Sequence, residues 1–163
     1  MPAACALVFD VFHYHHWRAR WDSLVDKTLV IGGAPCPYVG AISENVGGGL
    51  LRPLSMRTQF IRFDRPRIAA ATMLGQSFPF TRWAASMQHR ELEADAQRSL
   101  MIYTYTLETG PTALRWCLEP IVKLIFGWQT RKRFSRMQAF LAQNADEVMQ
   151  WQRDSGLAAA NEP

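Results

Sequence analysis

The apolar positions of the first 24 residues recur at helical spacing. Val8 and Phe12, four positions apart, share one face of a helix that we predict over residues 3–12. A polar run at 13–16 predicts a break, and tryptophans at i and i+4 predict a second helix over 17–24. Because both segments are short, each needs a larger element to pack against.

Between residues 25 and 110 the pattern changes to that of strands. Six runs rich in Thr, Val, Ile, Phe and Tyr are separated by short connections that contain Gly, Pro, Asp or Ser. Because no helix intervenes, we predict a meandering antiparallel sheet. The predicted strands are 27–31, 38–46, 56–63, 68–74, 80–93 and 97–108.

After Pro111 the helical period returns and lasts to about residue 156. Pro120 is expected to kink this helix or to mark a fresh start. We therefore predict one α+β domain over 1–157, in which a curved antiparallel sheet wraps around a long C-terminal helix, with a frayed tail at 158–163. One helix cannot fill the concave face of so long a sheet, so we expect a cavity between the two.

Composition fits one domain and narrows the function classes. The 163 residues are 48% hydrophobic, enough for one core, and the net charge of +4 is below that of a dedicated nucleic-acid binder. Three cysteines without a C-x-x-C pair favour a cytoplasmic setting over a disulfide framework or zinc module. No apolar run approaches the roughly 20 residues of a membrane helix, so no transmembrane segment is expected.

The net excess of positive charge lies in one segment, 111–136, which has six basic residues and one acidic residue. Arg131, Lys132, Arg133 and Arg136 form its centre. Such a run predicts a solvated helix face. The alternative is an anchor for an acidic partner, a phosphate-bearing ligand or a membrane surface.

Two histidine groups are candidates for chemistry. His13, His15 and His16 follow Asp10, but adjacent side chains point apart, so we predict a solvated turn, no metal site and no cofactor. His89 is the only histidine of the predicted sheet, and a buried imidazole could act as a general acid or base. The alternative is a core histidine without a catalytic role.

Alternate residues of the two longest predicted strands are expected to face the cavity. Two tyrosines there could orient a ligand carbonyl or hydroxyl by hydrogen bonding, or could simply pack across strands. The candidate ligand-binding residues are Trp83, Met87, His89, Met101, Tyr103 and Tyr105.

This order of elements, with several local motifs, resembles the helix-grip superfamily, which groups START lipid-transfer domains, plant pathogenesis-related pollen allergens and bacterial polyketide cyclase/dehydrase-like proteins as SRPBCC proteins. The resemblance spans about residues 3–153. It is carried by Val8-Phe9-Asp10, Trp17, Trp21-Asp22, Phe63-Asp64-Arg65-Pro66-Arg67, Trp83 to His89, Tyr103-Thr104-Tyr105 and Pro120.

The resemblance implies a helix-grip fold whose cavity binds a hydrophobic small molecule, such as a lipid, a sterol-like compound or an aromatic polyketide. The alternative is a polyketide cyclase/aromatase that uses the same pocket. The chain departs from the superfamily in one respect, because only residues 1–4 precede the first helix, where members usually have a strand. Either the true start codon lies upstream of residue 1, or the sheet lacks an edge strand. In the second case the unpaired edge would favour association with a second copy, so we predict a homodimer.

Overall fold

The computed structural model describes residues 1–48, 55–92 and 95–157, and it confirms the α+β architecture. Two short helices, α1 (Cys5–His13) and α2 (His15–Trp21), precede the sheet, and a 40-residue helix, α3 (Arg115–Asp154), follows it after a single 3-10 turn. The strands are β1 (Val25–Val30), β2 (Ile42–Gly47), β3 (Ser55–Asp64), β4 (Ile68–Leu74), β5 (Phe80–Leu92) and β6 (Asp95–Thr109).

The six strands form one antiparallel sheet in the order of the chain, β1-β2-β3-β4-β5-β6. Register shifts between Phe60 and Arg62 in β3, and between Phe80 and Arg82 in β5, interrupt the ladder. Such irregularities bend a strand and increase its twist. The sheet therefore curves, and its concave face is turned toward the helices.

Some element ends differ from the predictions. The break between the first two helices is one residue, Tyr14, and not the run 13–16. The second strand begins at Ile42, because the preceding segment turns at Gly40, whose φ is +87° and whose N–H donates to the Phe60 carbonyl. The run Gly47-Gly48-Gly49, whose composition predicts a bend, lies partly outside the described residues, and the tail at 158–163 lies wholly outside them.

Pro120 does not start a new helix, so that alternative of the prediction is wrong. α3 begins at Arg115 and continues through both Pro120 and Gly127. Pro120 is the sixth residue of α3, so it lies beyond the first turn and leaves the Trp116 carbonyl without its usual backbone donor, while the helix continues on either side.

The core lies between the two N-terminal helices, the sheet and the C-terminal half of α3. Trp17 and Trp21 of α2 meet Met137 and Leu141 of α3, and both α3 side chains are completely buried. The N-terminal half of α3 takes no part in this cluster. It stands over the other end of the sheet.

The start of the chain lies against β6. The Ser99 N–H donates to the Met1 carbonyl, and the Ser99 hydroxyl donates to the Ala3 carbonyl at 2.8 Å. This covers one end of the β6 edge. The homodimer stays a prediction.

Among the described helices, none is long and apolar enough to span a membrane.

Candidate functional site

A cavity of about 450 Å³ separates the sheet from the N-terminal half of α3. This volume lies in the range of small-molecule sites. All six strands, both short helices, the 77–79 loop and α3 contribute to its wall. Among its apolar lining residues are Phe12, Met56, Phe60, Ala69, Ala71, Phe80, Trp83, Ala85, Met87, Val122, Ile125 and Phe126.

A few polar groups interrupt this wall on the β1 to β3 side. The Thr28 hydroxyl donates to the side-chain carbonyl of Asn45 at 3.1 Å, and the Asn45 amide donates to the Thr58 hydroxyl at 3.4 Å. Ser43, also lining the cavity, has a buried hydroxyl with no partner among the described residues. A mostly apolar wall with isolated polar groups is typical of a site for a hydrophobic ligand.

Of the six predicted ligand-binding residues, Trp83, Met87 and Tyr103 line the cavity. The buried indole N–H of Trp83 has no hydrogen-bond partner in the described structure. Tyr103 lies opposite Met87 in the β5–β6 ladder, and its ring packs edge-on against Phe134 at 5.1 Å between centroids.

The other three candidates lie away from the cavity wall. Tyr105 packs against the Phe126 ring at 4.7 Å, and Met101 packs against the core cluster. His89 is buried, and its ring lies 5.5 Å from that of Phe9. Neither of its ring nitrogens meets a described hydrogen-bonding group, and burial lowers its pKa to about 4.

The histidine that does line the cavity is His13, which the sequence interpretation placed in a solvated turn. It is buried and carries one hydrogen bond, 2.8 Å from Nδ1 to the Phe9 carbonyl. A carbonyl only accepts, so Nδ1 carries the proton and Nε2 is left as an acceptor. Burial lowers the pKa of His13 to about 3, so the ring is neutral at pH 7.

Asp10, which precedes the predicted turn at 13–16, is completely buried as well. Arg65 binds it through two hydrogen bonds of 2.7 Å, and the Gln152 amide donates to the same carboxylate at 2.6 Å. These partners come from the β3–β4 turn and the end of α3, so they become visible only in the fold. No group of three or more metal-ligating side chains converges within the described ranges.

The basic run does not form one solvated face. Arg133 turns inward, and its Nε and Nη2 donate to Asp22 Oδ2 at 2.9 and 2.6 Å. Arg18 of α2 donates to the same oxygen through Nε at 2.9 Å. Both arginines line the cavity, so they place positive charge in an otherwise apolar wall. The sequence interpretation missed this cluster: the i,i+4 spacing connects Arg18 with Asp22, but no local spacing connects either residue with Arg133.

Comparison with known proteins confirms the helix-grip fold through solved structures. Neither a family model nor a curated protein matches the sequence. Ara h 8.0201 superposes with a TM-score of 0.67 at 12% identity, over 88% of this chain and 93% of that chain.

Two aromatase/cyclases are similar as well. Zhui from Streptomyces sp. R1128 gives a TM-score of 0.64 at 15% identity, over 90% of both chains. The di-domain ARO/CYC StfQ of the steffimycin biosynthetic pathway gives 0.70 at 8% identity, over 89% of this chain and 49% of that one. At these identities the likeness shows the helix-grip fold alone.

Proposed function

We propose that this protein binds a hydrophobic small molecule, such as a lipid, a sterol-like compound or an aromatic polyketide, in the cavity between the sheet and α3. The observation that carries the proposal is the cavity of about 450 Å³ with its apolar wall. A polar cavity of this size would be filled by bound water, whereas an apolar one gains free energy when an apolar ligand enters.

The chemistry of the two buried histidines favours binding over catalysis. The pKa of His13 is about 3 and that of His89 about 4, because both rings are buried. An efficient general base has a pKa near the working pH. Neutral rings with such low pKa values are weak bases, and of the two only His13 lines the cavity, where it can accept a hydrogen bond from a ligand.

The test uses N-phenyl-1-naphthylamine, a neutral fluorescent probe of apolar cavities. Ala85 lines the cavity, so Ala85→Phe should fill part of it and abolish the fluorescence increase. Ala139 lies on the exposed face of α3, and Ala139→Phe serves as the matched control. Binding by the control and not by Ala85→Phe supports the proposal; equal binding by both would refute it.

The second candidate is a polyketide cyclase/aromatase that uses the same pocket. Similarity to Zhui and StfQ favours it, and the Tyr103 hydroxyl in the cavity wall can donate to a ligand carbonyl. His13 Nε2 can only accept, so it suits a ligand hydroxyl. Such catalysis would come mostly from holding the reacting carbons in position. It predicts that Tyr103→Phe loses turnover of a poly-β-ketone while probe binding is retained.

A further inference from the structure

One end of the cavity carries a buried cluster of three charged side chains. Asp22 follows α2 and is 5% exposed, and its Oδ1 accepts the Leu24 N–H at 3.2 Å. Its other oxygen, Oδ2, receives three guanidinium N–H groups, one from Arg18 and two from Arg133. The hydrogen-bonding capacity of this carboxylate is therefore used within the cluster.

The charges of this cluster do not balance. Two guanidinium groups face one carboxylate, which leaves one positive charge in excess. Burial alone would raise the pKa of the Asp22 carboxyl, but Arg133 and Arg18 lower it below its ordinary value, so Asp22 is ionised. Burial lowers the pKa of Arg18 only to about 10, so Arg18 remains charged at pH 7.

No other group on the described cavity wall supplies the missing negative charge. None of the described lining residues is acidic. The nearest further titratable group, Tyr103, is a neutral phenol whose pKa is raised by burial. His13 is neutral as well.

The two guanidinium groups are held in place in a way that leaves donors for a ligand. Arg18 and Arg133 lie 4.9 and 4.8 Å from the Phe12 ring centroid, an arrangement that orients them without neutralising charge. Nη1 and Nη2 of Arg18 and Nη1 of Arg133 donate to no described residue. An anion reaching this end of the cavity would meet preorganised, charged donors.

We propose that this cluster binds the carboxylate of an amphipathic acid whose apolar body lies along the sheet, which deepens the function proposed above and rests on it. A singly charged carboxylate balances the single excess charge. A dianion such as a phosphate monoester would leave one negative charge unbalanced in an apolar cavity, where an unpaired charge is costly.

The test is competition of decanoate, decanol and decylamine against N-phenyl-1-naphthylamine, with the full chain at pH 7. We expect decanoate to displace the probe at concentrations roughly tenfold or more below those of decanol, because hydrogen bonds to charged groups are stronger than neutral ones. Decylamine should compete least. Equal displacement by decanoate and decanol overturns the carboxylate site while the bound probe still supports the cavity; absence of probe binding overturns both.

Arg18→Met assigns the preference to the cluster. This variant leaves the Asp22–Arg133 pair intact and removes only the excess charge. Decanoate should then lose its advantage over decanol, while probe binding persists and shows that the cavity is formed. Arg18→Lys should restore part of the advantage, and Arg20→Met is the control, since Arg20 pairs with Glu147 outside the cavity. An unchanged preference in Arg18→Met would contradict the assignment.

A different observation, the exposed surface of α3, carries a second proposal. Large apolar side chains of its N-terminal half point into solvent: Trp116 is 80% exposed and Leu124 is 75% exposed. Ile121, Ile125 and Trp128 are each more than half exposed. Ile121, Leu124, Ile125 and Trp128 follow the spacing i, i+3, i+4, i+7, which places them on one face of α3. An exposed apolar face of this kind marks an interaction site. We name these five residues the α3 apolar surface.

The charge beside the α3 apolar surface indicates its partner. Arg131 and Lys132 follow it directly and are exposed, and the Lys132 ammonium lies 5.3 Å from the Trp128 ring centroid. In a symmetric dimer this surface would meet its own copy, so a net positive segment would face a net positive segment without charge complementarity. Tryptophans beside basic residues instead suit the interface of an anionic bilayer. We infer that the α3 apolar surface docks on an anionic lipid membrane.

Vesicle co-sedimentation tests this second proposal. Vesicles of phosphatidylcholine with phosphatidylglycerol should bind the protein, and vesicles of phosphatidylcholine alone should bind it less. The double variant Trp116→Ser, Leu124→Ser should lose binding, whereas Ile61→Ser, which changes an exposed apolar residue of β3, should retain it. Absence of binding to both vesicles, or a dimer by light scattering that the double variant converts to a monomer, would overturn the proposal.

Discussion

Arg65 forms a two-point ion pair with Asp10, from Nε to Oδ1 and from Nη2 to Oδ2, each at 2.7 Å. The pair joins the β3–β4 turn to α1, and Gln152 adds α3 through the same carboxylate. Removing one partner of a buried ion pair leaves an uncompensated charge. This carboxylate therefore connects three separate parts of the fold.

Arg65→Met is expected to lower the free energy of unfolding by about 3–5 kcal/mol, because it leaves a buried carboxylate without its counterion. Urea denaturation followed by circular dichroism measures the change. Arg57→Met is the control, since Arg57 pairs with Glu44 on the surface and such pairs contribute about 1 kcal/mol at most. Equal effects of the two variants would contradict the interpretation.

Stability should fall as the pH drops below about 6.5. In the unfolded chain His13 binds a proton near its ordinary pKa of 6.5, whereas in the folded protein its pKa is about 3. Between these values the unfolded state binds more protons, so each such histidine removes up to about 1.4 kcal/mol per pH unit. His13→Gln should give a shallower decline between pH 6.5 and 4.5; an identical slope would show that His13 does not contribute.

His89→Leu tests the interpretation of His89 as a core histidine that makes no hydrogen bonds. Because neither ring nitrogen has a described partner, leucine should leave the free energy of unfolding unchanged or raise it. Probe affinity should also be unchanged, since His89 does not line the cavity. A loss of stability of about 2 kcal/mol or more would instead indicate hydrogen bonds to this ring.

Alanine substitutions at two glycines should have opposite effects on the stability of the protein. At Gly127, within α3, an added Cβ would lie 3.5 Å from the Tyr105 hydroxyl, which is ordinary contact, so Gly127→Ala should raise helix stability by about 0.5–1 kcal/mol. At Gly110 the Cβ would meet Thr81 Cγ2 at 2.6 Å, so Gly110→Ala should destabilise. Thermal denaturation of both variants provides the comparison. Destabilisation by Gly127→Ala would be the contrary result.

Local patterns were sufficient for the elements of the fold. The change from helical to strand period near residue 25, and back after Pro111, determined the order of helices and strands, because side-chain periodicity depends only on neighbouring residues. The β5–β6 ladder pairs Met87 with Tyr103, both of which the alternation assigned to the inner face. The curved sheet and its cavity followed from the same argument.

Only the tertiary structure decided which polar residues share a site. Asp22 and Arg133 are 111 positions apart, and Asp10 and Gln152 are 142 apart, so no local spacing connects either pair. The burial of Arg133 within a run of surface cations depends on where α3 crosses α2. The sequence therefore determined the curved sheet, the long helix and the apolar cavity between them. Long-range packing determined which charged side chains lie at that cavity, because an ion pair forms wherever the folded chain brings opposite charges together.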